Sequence, residues 1–268
     1  MISPSPVLIS VAPNGARRTH ADHAALPISA REIASEAEAC RASGAGMLHL
    51  HVRDEQGSHS LDPARYREAI EAIDTRLGGE MLIQITTEAC GIFEIEQQMA
   101  CVREVRPAAA SFAIREFFPN GIATAQVQAF FEWVAATGVQ PQFIVYVPEE
   151  VRQLHDLLDR RQLPFDAPPV LFVLGRYGDG PASNPLAIPS FAEPWNDRGH
   201  WSVCAFGPTE RAVGIAALAL GGHVRVGFEN NLWRPDGTLL QSTAEQVSSI
   251  AAAARLLSRP LSIGFAHA

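Results

Sequence analysis

Two histidines at alternate positions, His49 and His51 in the run MLHLHVRD (residues 47–54), are the side chains whose type and spacing point most directly to chemistry. A β-strand sends successive side chains to opposite faces, so both imidazoles would leave one face while Leu48, Leu50 and Val52 leave the other. Neutral imidazole nitrogen is a favoured ligand for zinc, and a strand fixes two such donors before an ion arrives. A polar pair at the rim of a sheet fits the same pattern, and the two residues alone do not separate these readings.

A third donor is offered almost at the other end of the chain. The run HVRVGFE (223–229) reads as a strand that closes on an inward carboxylate, Glu229. Two histidines and a glutamate leave coordination positions open for a substrate, as catalytic zinc requires; iron, cobalt or manganese suit the same set. The competing reading makes Glu229 a salt-bridge partner in a loop.

These residues meet only if the chain folds to bring them together. Strand-like runs at 7–12, 47–53, 81–87, 108–115, 142–147, 170–175, 201–206 and 223–229 alternate with helical patterns at 30–43, 63–77, 95–105, 124–137, 149–160, 208–220 and 244–257. A further short helix is expected near 190–196, in a segment rich in Gly, Pro and Ser. Eight strand–helix units predict an α/β fold, a single (β/α)8 TIM barrel spanning residues 1–268 as one domain. An open doubly wound sheet is the alternative, but no GxGxxG opens a helix after the first strand. In a barrel the eighth strand closes on the first, so Glu229 lies two strands from the histidines.

Composition narrows the function classes. With 268 residues, 47% hydrophobic, 19% charged and a net charge of −8, the chain reads as globular, and its acidity argues against nucleic-acid binding. No apolar run reaches membrane-spanning length and no signal-peptide pattern opens the chain, so a cytoplasmic protein without membrane partners is expected. Cys40, Cys90, Cys101 and Cys204 form no CxxC pair and are expected to be reduced, with Cys90 near a pocket mouth. His59, His155, His200 and His267 are expected at the surface or rim, and His223 in the core as a hydrogen-bonded histidine.

The motifs NGARRTHADH, HLHVRD, QITTEA, FVLG, GGHVRVGFENN and RPLS run in order along nearly the whole chain. In this the sequence resembles the β-keto acid cleavage enzyme family, of the 3-keto-5-aminohexanoate cleavage type. The resemblance implies a zinc-dependent barrel, a homotetramer in the family, that condenses a β-keto acid with acetyl-CoA and releases acetoacetate and a new acyl-CoA. It assigns the metal to His49, His51 and Glu229, substrate binding to Asn14, Thr86 and Ser111, and proton transfer to Arg225.

Several positions depart from the family pattern. Asn230 stands where the family has an aspartate that assists the arginine, and because an amide takes no proton at neutral pH, Asn230 is a candidate site residue that orients a water, or another group is the base. Arg225 is itself a poor base, with a pKa above about 12. On an extended strand it would start roughly 13 Å below Glu229 at ~3.3 Å per residue, which predicts action through a water. Arg17 and Ile144 replace acids expected to hold a substrate amine, and Arg115 replaces a glycine on the inward face of the fourth strand. Arginines there predict a substrate whose distal group is anionic or polar, such as a 3-oxodicarboxylate. Alternatively Arg17 pairs with Asp22 and Arg115 with Glu88. A CoA-independent zinc hydrolase or lyase, and a metal-binding barrel without catalysis, stay open beside the acyltransferase.

Overall fold

The computed structural model describes residues 5–178, 182–195 and 198–265. β1 (Ile9–Val11) and β2 (Met47–Leu50) are followed by a ribbon of β3 (Val52–Arg53) and β4 (His59–Ser60). Then come β5 (Leu82–Ile85), β6 (Ala109–Ala113), β7 (Gln140–Val145), β8 (Val170–Leu174), β9 (Trp201–Ala205) and β10 (His223–Val226). All except the ribbon form one closed parallel barrel in chain order, sealed where β1 pairs with both β10 and β2. The expected (β/α)8 architecture is the observed one.

The helices are α1 (Ala30–Ser43), α2 (Pro63–Leu77), α3 (Ile95–Val105), α4 (Ile114–Phe117), α5 (Ala125–Thr137), α6 (Pro148–Asp159), α7 (Ile188–Trp195), α8 (Glu210–Ala219) and α9 (Thr243–Leu256). Local signals set their ends. Ser29 and Glu32 form a capping box before α1, Asp62 caps α2 with Pro63 at its first position, and Thr124 caps α5. Gly44, Gly78 and Gly138 then turn the chain in the left-handed conformation that ends each helix. Apolar faces of helices and strands make the main core, which includes the aromatic contacts Phe112–Phe131 at 5.1 Å and Phe131–Phe143 at 5.5 Å. No helix among the described residues is long and apolar enough to cross a membrane.

The strands end earlier than the sequence pattern predicts. β2 stops at Leu50, so His51 is the joint between the barrel strand and the ribbon, which the sequence analysis did not anticipate. β6 stops at Ala113, and Arg115 sits in α4 instead of on the fourth strand. β10 stops at Val226, and Glu229 belongs to the turn beyond it. In each case the chain must leave the sheet at the barrel mouth, and alternation of side chains continues in sequence after pairing has ended. His59, expected at the surface or rim, is buried: its Nε2 lies 2.8 Å from the Glu88 carbonyl. Asn196 and His267 lie outside the described residues.

Candidate metal centre and cavity

His49 points into the barrel, where Gln84 stands beside it in register on β5. A polar relay crosses the interior: His49 Nδ1 lies 2.8 Å from Gln84 Oε1, and Gln84 Nε2 donates to Gln142 Oε1 at 3.0 Å. Because the Gln84 amide nitrogen is committed to Gln142, its oxygen faces His49 and accepts the Nδ1 proton. The Nε2 lone pair of His49 is thereby turned toward the barrel mouth. Burial first, and then the charge of Arg225, lower the His49 pKa to about 3, which keeps the imidazole neutral.

His51 is held from behind through its backbone, whose carbonyl accepts Asn14 Nδ2 at 3.1 Å. Its Nε2 lies 3.1 Å from His49 Nε2. The turn after β10 brings the carboxylate to the pair. Gly227, at φ 144, passes so close to β1 that an added Cβ would lie 2.1 Å from the Ala12 carbonyl oxygen. Glu229 N then donates to that same carbonyl at 3.1 Å. Glu210, buried in α8, accepts Gly227 N at 3.1 Å and Gln246 Nε2 at 2.5 Å, bracing the turn. Glu229 Oε2 thus stands 3.6 Å from His51 Nε2 and 4.0 Å from His49 Nε2.

The ligand atoms of the three residues all lie within 4.8 Å of one another, and all three are buried. A tetrahedral zinc with bonds of about 2.0–2.1 Å separates its ligand atoms by about 3.3 Å, close to the spacings here. Among the described residues Glu229 Oε2 has no hydrogen-bond partner although it is buried, which is what a carboxylate set aside for a cation looks like. The residues present therefore fit a divalent metal.

Arg225 corrects the distance expected from an extended strand. The turn folds Glu229 back over β10, and Arg225 NH2 donates directly to Glu229 Oε1 at 3.3 Å and to Cys204 Sγ at 3.4 Å. Burial opposes the Glu229 charge, but Arg225, His51 and His49 outweigh it and hold the carboxyl well below its usual range. Burial likewise opposes the Arg225 charge, and Cys204, Glu229 and Tyr146 restore it, so the guanidinium stays protonated.

A cavity of about 310 Å³ opens above these groups at the carboxyl ends of the strands. His49, Glu229, Arg225, Thr86, Ser111, Arg17 and Arg115 all line it; His51, Asn14 and Asn230 do not. Asn230 is fully buried, with no partner for its side-chain amide among the described residues, and its backbone carbonyl accepts Gly207 N at 3.1 Å. Ser111 Oγ is buried without a partner among the described residues, and Thr86 Oγ1 accepts Glu88 N at 3.0 Å.

Both arginines at the mouth have carboxylate partners, though not those expected. Arg17 meets Glu88 at 3.7 Å, while Asp22 takes Thr19 N instead. Arg115 donates to Glu150 at 2.8 Å and stacks over Tyr146 at 4.0 Å. Glu116, Tyr146, Arg176 and Tyr177 line the cavity and escaped the sequence analysis. Tyr146 continues the inward alternation from Ile144 and could have been found. Tyr177 could not, since it follows β8 in an irregular segment where no period applies. Cys90 lines the cavity as expected, and all four cysteines are free.

A closed parallel barrel with its convergent polar groups at the carboxyl ends of the strands defines the class, a (β/α)8 barrel enzyme. The chain belongs to the beta-keto acid cleavage enzyme family, whose signature matches residues 6–263. It is 29% identical over 266 residues to the 3-keto-5-aminohexanoate cleavage enzyme of Fusobacterium nucleatum, covering 95% of this chain and 93% of that one. It is 25% identical to the 3-oxoadipate:acetyl-CoA acetyltransferase of Cupriavidus necator, over 96% and 91% of the two chains. Among solved structures, ObcA in complex with a C4-CoA adduct and oxalate superposes with a TM-score of 0.69 at 19% identity over 88% of this chain. The chain spans only 65% of that ObcA structure, so this likeness speaks for the fold alone.

Proposed function

We propose that this protein is a zinc-dependent acyltransferase that condenses a β-keto acid with acetyl-CoA and cleaves the adduct to acetoacetate and a new acyl-CoA. The observation that carries the reading is the convergence of His49, His51 and Glu229, of which His49 and Glu229 line the cavity while His51 is buried against them, with Arg225 against the carboxylate. The relative that acts on 3-oxoadipate with acetyl-CoA supports the chemistry. The same reading expects a cytoplasmic homotetramer.

His49, His51 and Glu229 would hold the zinc, which when bound supplies Lewis-acid polarisation of the substrate keto oxygen. Arg225, buried and cationic, orients and stabilises developing negative charge beside them. Ser111 Oγ, unpartnered in the wall, and the Thr86 hydroxyl hydrogen bond to the keto acid. Asn14 acts one step back by holding the His51 backbone. Of the four arginines that line the cavity, Arg17, Arg115 and Arg225 are paired with Glu88, Glu150 and Glu229, and Arg176 has no ion pair among the described residues, which leaves one cation for a substrate group. That cation favours a substrate with a distal carboxylate over one with a distal amine.

An activity panel tests this. Zinc-loaded protein given acetyl-CoA and 3-oxoadipate should form acetoacetate and succinyl-CoA, with kcat/KM at least about tenfold above that for 5-amino-3-oxohexanoate. Preference for the amine would overturn the distal-group assignment. Cleavage without acetyl-CoA would replace the transferase by a hydrolase or lyase, and zinc binding without turnover would leave a non-catalytic barrel.

A further inference from the structure

The reaction must move a proton, and the residues the family pattern points to offer no acceptor for it. Arg225 stays cationic, and Asn230 is an amide sealed outside the cavity lining. Glu229 has one oxygen on Arg225 and the other facing the histidines. Two further carboxylates line the cavity. Glu88 is ion-paired with Arg17 at 3.7 Å. Glu116 is different: both of its oxygens face a single backbone donor, Ala89 N, at 3.3 and 3.4 Å, and among the described residues no cation forms an ion pair with it.

Glu116 sits in α4, immediately beyond the fourth barrel strand and five residues past Ser111, so it projects at the end of the barrel where catalytic groups gather. Burial raises its pKa to about 7; the Ala89 N–H and the Arg115 charge oppose the shift and Glu88 adds to it. A carboxyl poised there can both accept and return a proton at neutral pH.

We propose that Glu116 is the base of the reaction, taking a proton from C2 of the β-keto acid and returning it to C2 of acetoacetate. The proposal rests on the acetyl-CoA-dependent reading given above. The C2–H bond breaks, its proton goes to the Glu116 carboxylate, and its electron pair stays on carbon as an enolate. That carbon bonds to the acetyl carbonyl carbon and expels the CoA thiolate. The thiolate then adds to the original keto carbon, and the bond from that carbon to C2 breaks. The electron pair remains on C2 of acetoacetate, which recovers the proton from Glu116. Atoms, charge and electrons balance without an oxidant or reductant.

The test compares zinc-loaded wild type with Glu116→Gln and Glu116→Asp. Three quantities are read: turnover, zinc content, and exchange of C2 hydrogen for deuterium followed by NMR without acetyl-CoA. Glu116→Gln should retain zinc and a KM within about threefold, while kcat falls by about 10²-fold or more and enzyme-dependent exchange disappears. In wild type kcat/KM should rise with pH to a plateau above about 7, and that limb should be absent from the Gln variant. Glu116→Asp, keeping the acid, should recover part of both rates. The assignment is overturned if the Gln variant exchanges C2 hydrogen at the wild-type rate, if the pH limb persists in it, or if both variants lose zinc. Wild type that exchanges C2 hydrogen but makes no acyl-CoA would leave Glu116 as the base and remove the transferase reading; wild type that does neither removes both.

Discussion

The barrel carries a pair of touching histidines at each end, and the two pairs differ in what their remaining nitrogens do. His49 and His51 approach to 3.1 Å at the carboxyl ends of the strands, and His223 and His200 to 3.0 Å at the opposite end. His49 and His223 are 1% and 4% exposed, and burial is the first cause that lowers each pKa to about 3. At the lower end His223 Nδ1 accepts Leu8 N at 2.9 Å, so its proton is on Nε2 and donates to His200 Nδ1. Arg259 beside it donates to the Leu218 and Gly222 carbonyls at 2.8 and 2.9 Å. Donors meet acceptors throughout. At the upper end Gln84 takes the His49 Nδ1 proton and leaves a lone pair facing His51, with the unpartnered Glu229 oxygen close by. Proximity of imidazoles therefore says little; what sets the upper pair apart is the buried carboxylate oxygen beside it, Glu229 Oε2, with no hydrogen-bond partner among the described residues.

The sharpest way to break this contrast is to remove one member from each end. Glu229→Ala should abolish stoichiometric zinc and lower turnover on the order of 10³-fold or more. His223→Leu should retain zinc and keep turnover within about threefold. Zinc content by atomic absorption, beside circular dichroism of each variant, decides it, and zinc loss in the His223 variant would sink the distinction. Gly15→Ala comes next in size. Gly15 has φ 63, and an added Cβ would lie 2.5 Å from Glu229 Cγ. The carboxylate must move, which predicts a turnover loss of about 10²-fold for a misplacement near 1 Å. Smaller again is Gln84→Leu, which frees the His49 tautomer and should weaken zinc about 10–100-fold in a competition titration with a chelator.

How far the sequence could show this contrast follows from which interactions are local. Helices α1, α2 and α3 begin and end at the residues expected, because caps and left-handed turns are written within a few residues of each boundary. The strand order was legible because repeated strand–helix units leave few ways to close. The convergence of His49, His51 and Glu229 was legible too, because alternation set all three inward. The backbone at the mouth was not: His51, Arg115 and Glu229 each lie just past a strand end, and Arg115 sits in α4 instead of on the fourth strand. The Arg225–Glu229 contact at 3.3 Å depends on Gly227 turning against Ala12, a contact 215 residues apart in the chain. The ribbon Val52–Arg53 with His59–Ser60 is too short to have a period, and with it went the burial of His59. His223 was correctly placed in the core, since its position at the start of a strand sets it at the stabilising end.

The smallest effect concerns that lower histidine and its response to acid. His223 has a folded pKa of about 3 against an ordinary value of 6.5. Between those two values the unfolded chain binds a proton that the folded chain refuses. Its contribution is therefore complete above about pH 6.5 and declines as pH falls toward 3, by up to about 1.4 kcal/mol per pH unit. A leucine in its place leaves the Leu8 N–H without an acceptor, at a cost of about 1–3 kcal/mol near neutrality, but it has no proton to refuse. The stability gap between wild type and His223→Leu should therefore narrow as pH drops from 7 to 5. His49 and His59, whose pKa values burial also lowers to about 3, titrate in both proteins and cancel in the difference. Urea unfolding at pH 7, 6 and 5 measures the gap directly, and a gap that widens with acid would mean that His223 is stabilised by being charged.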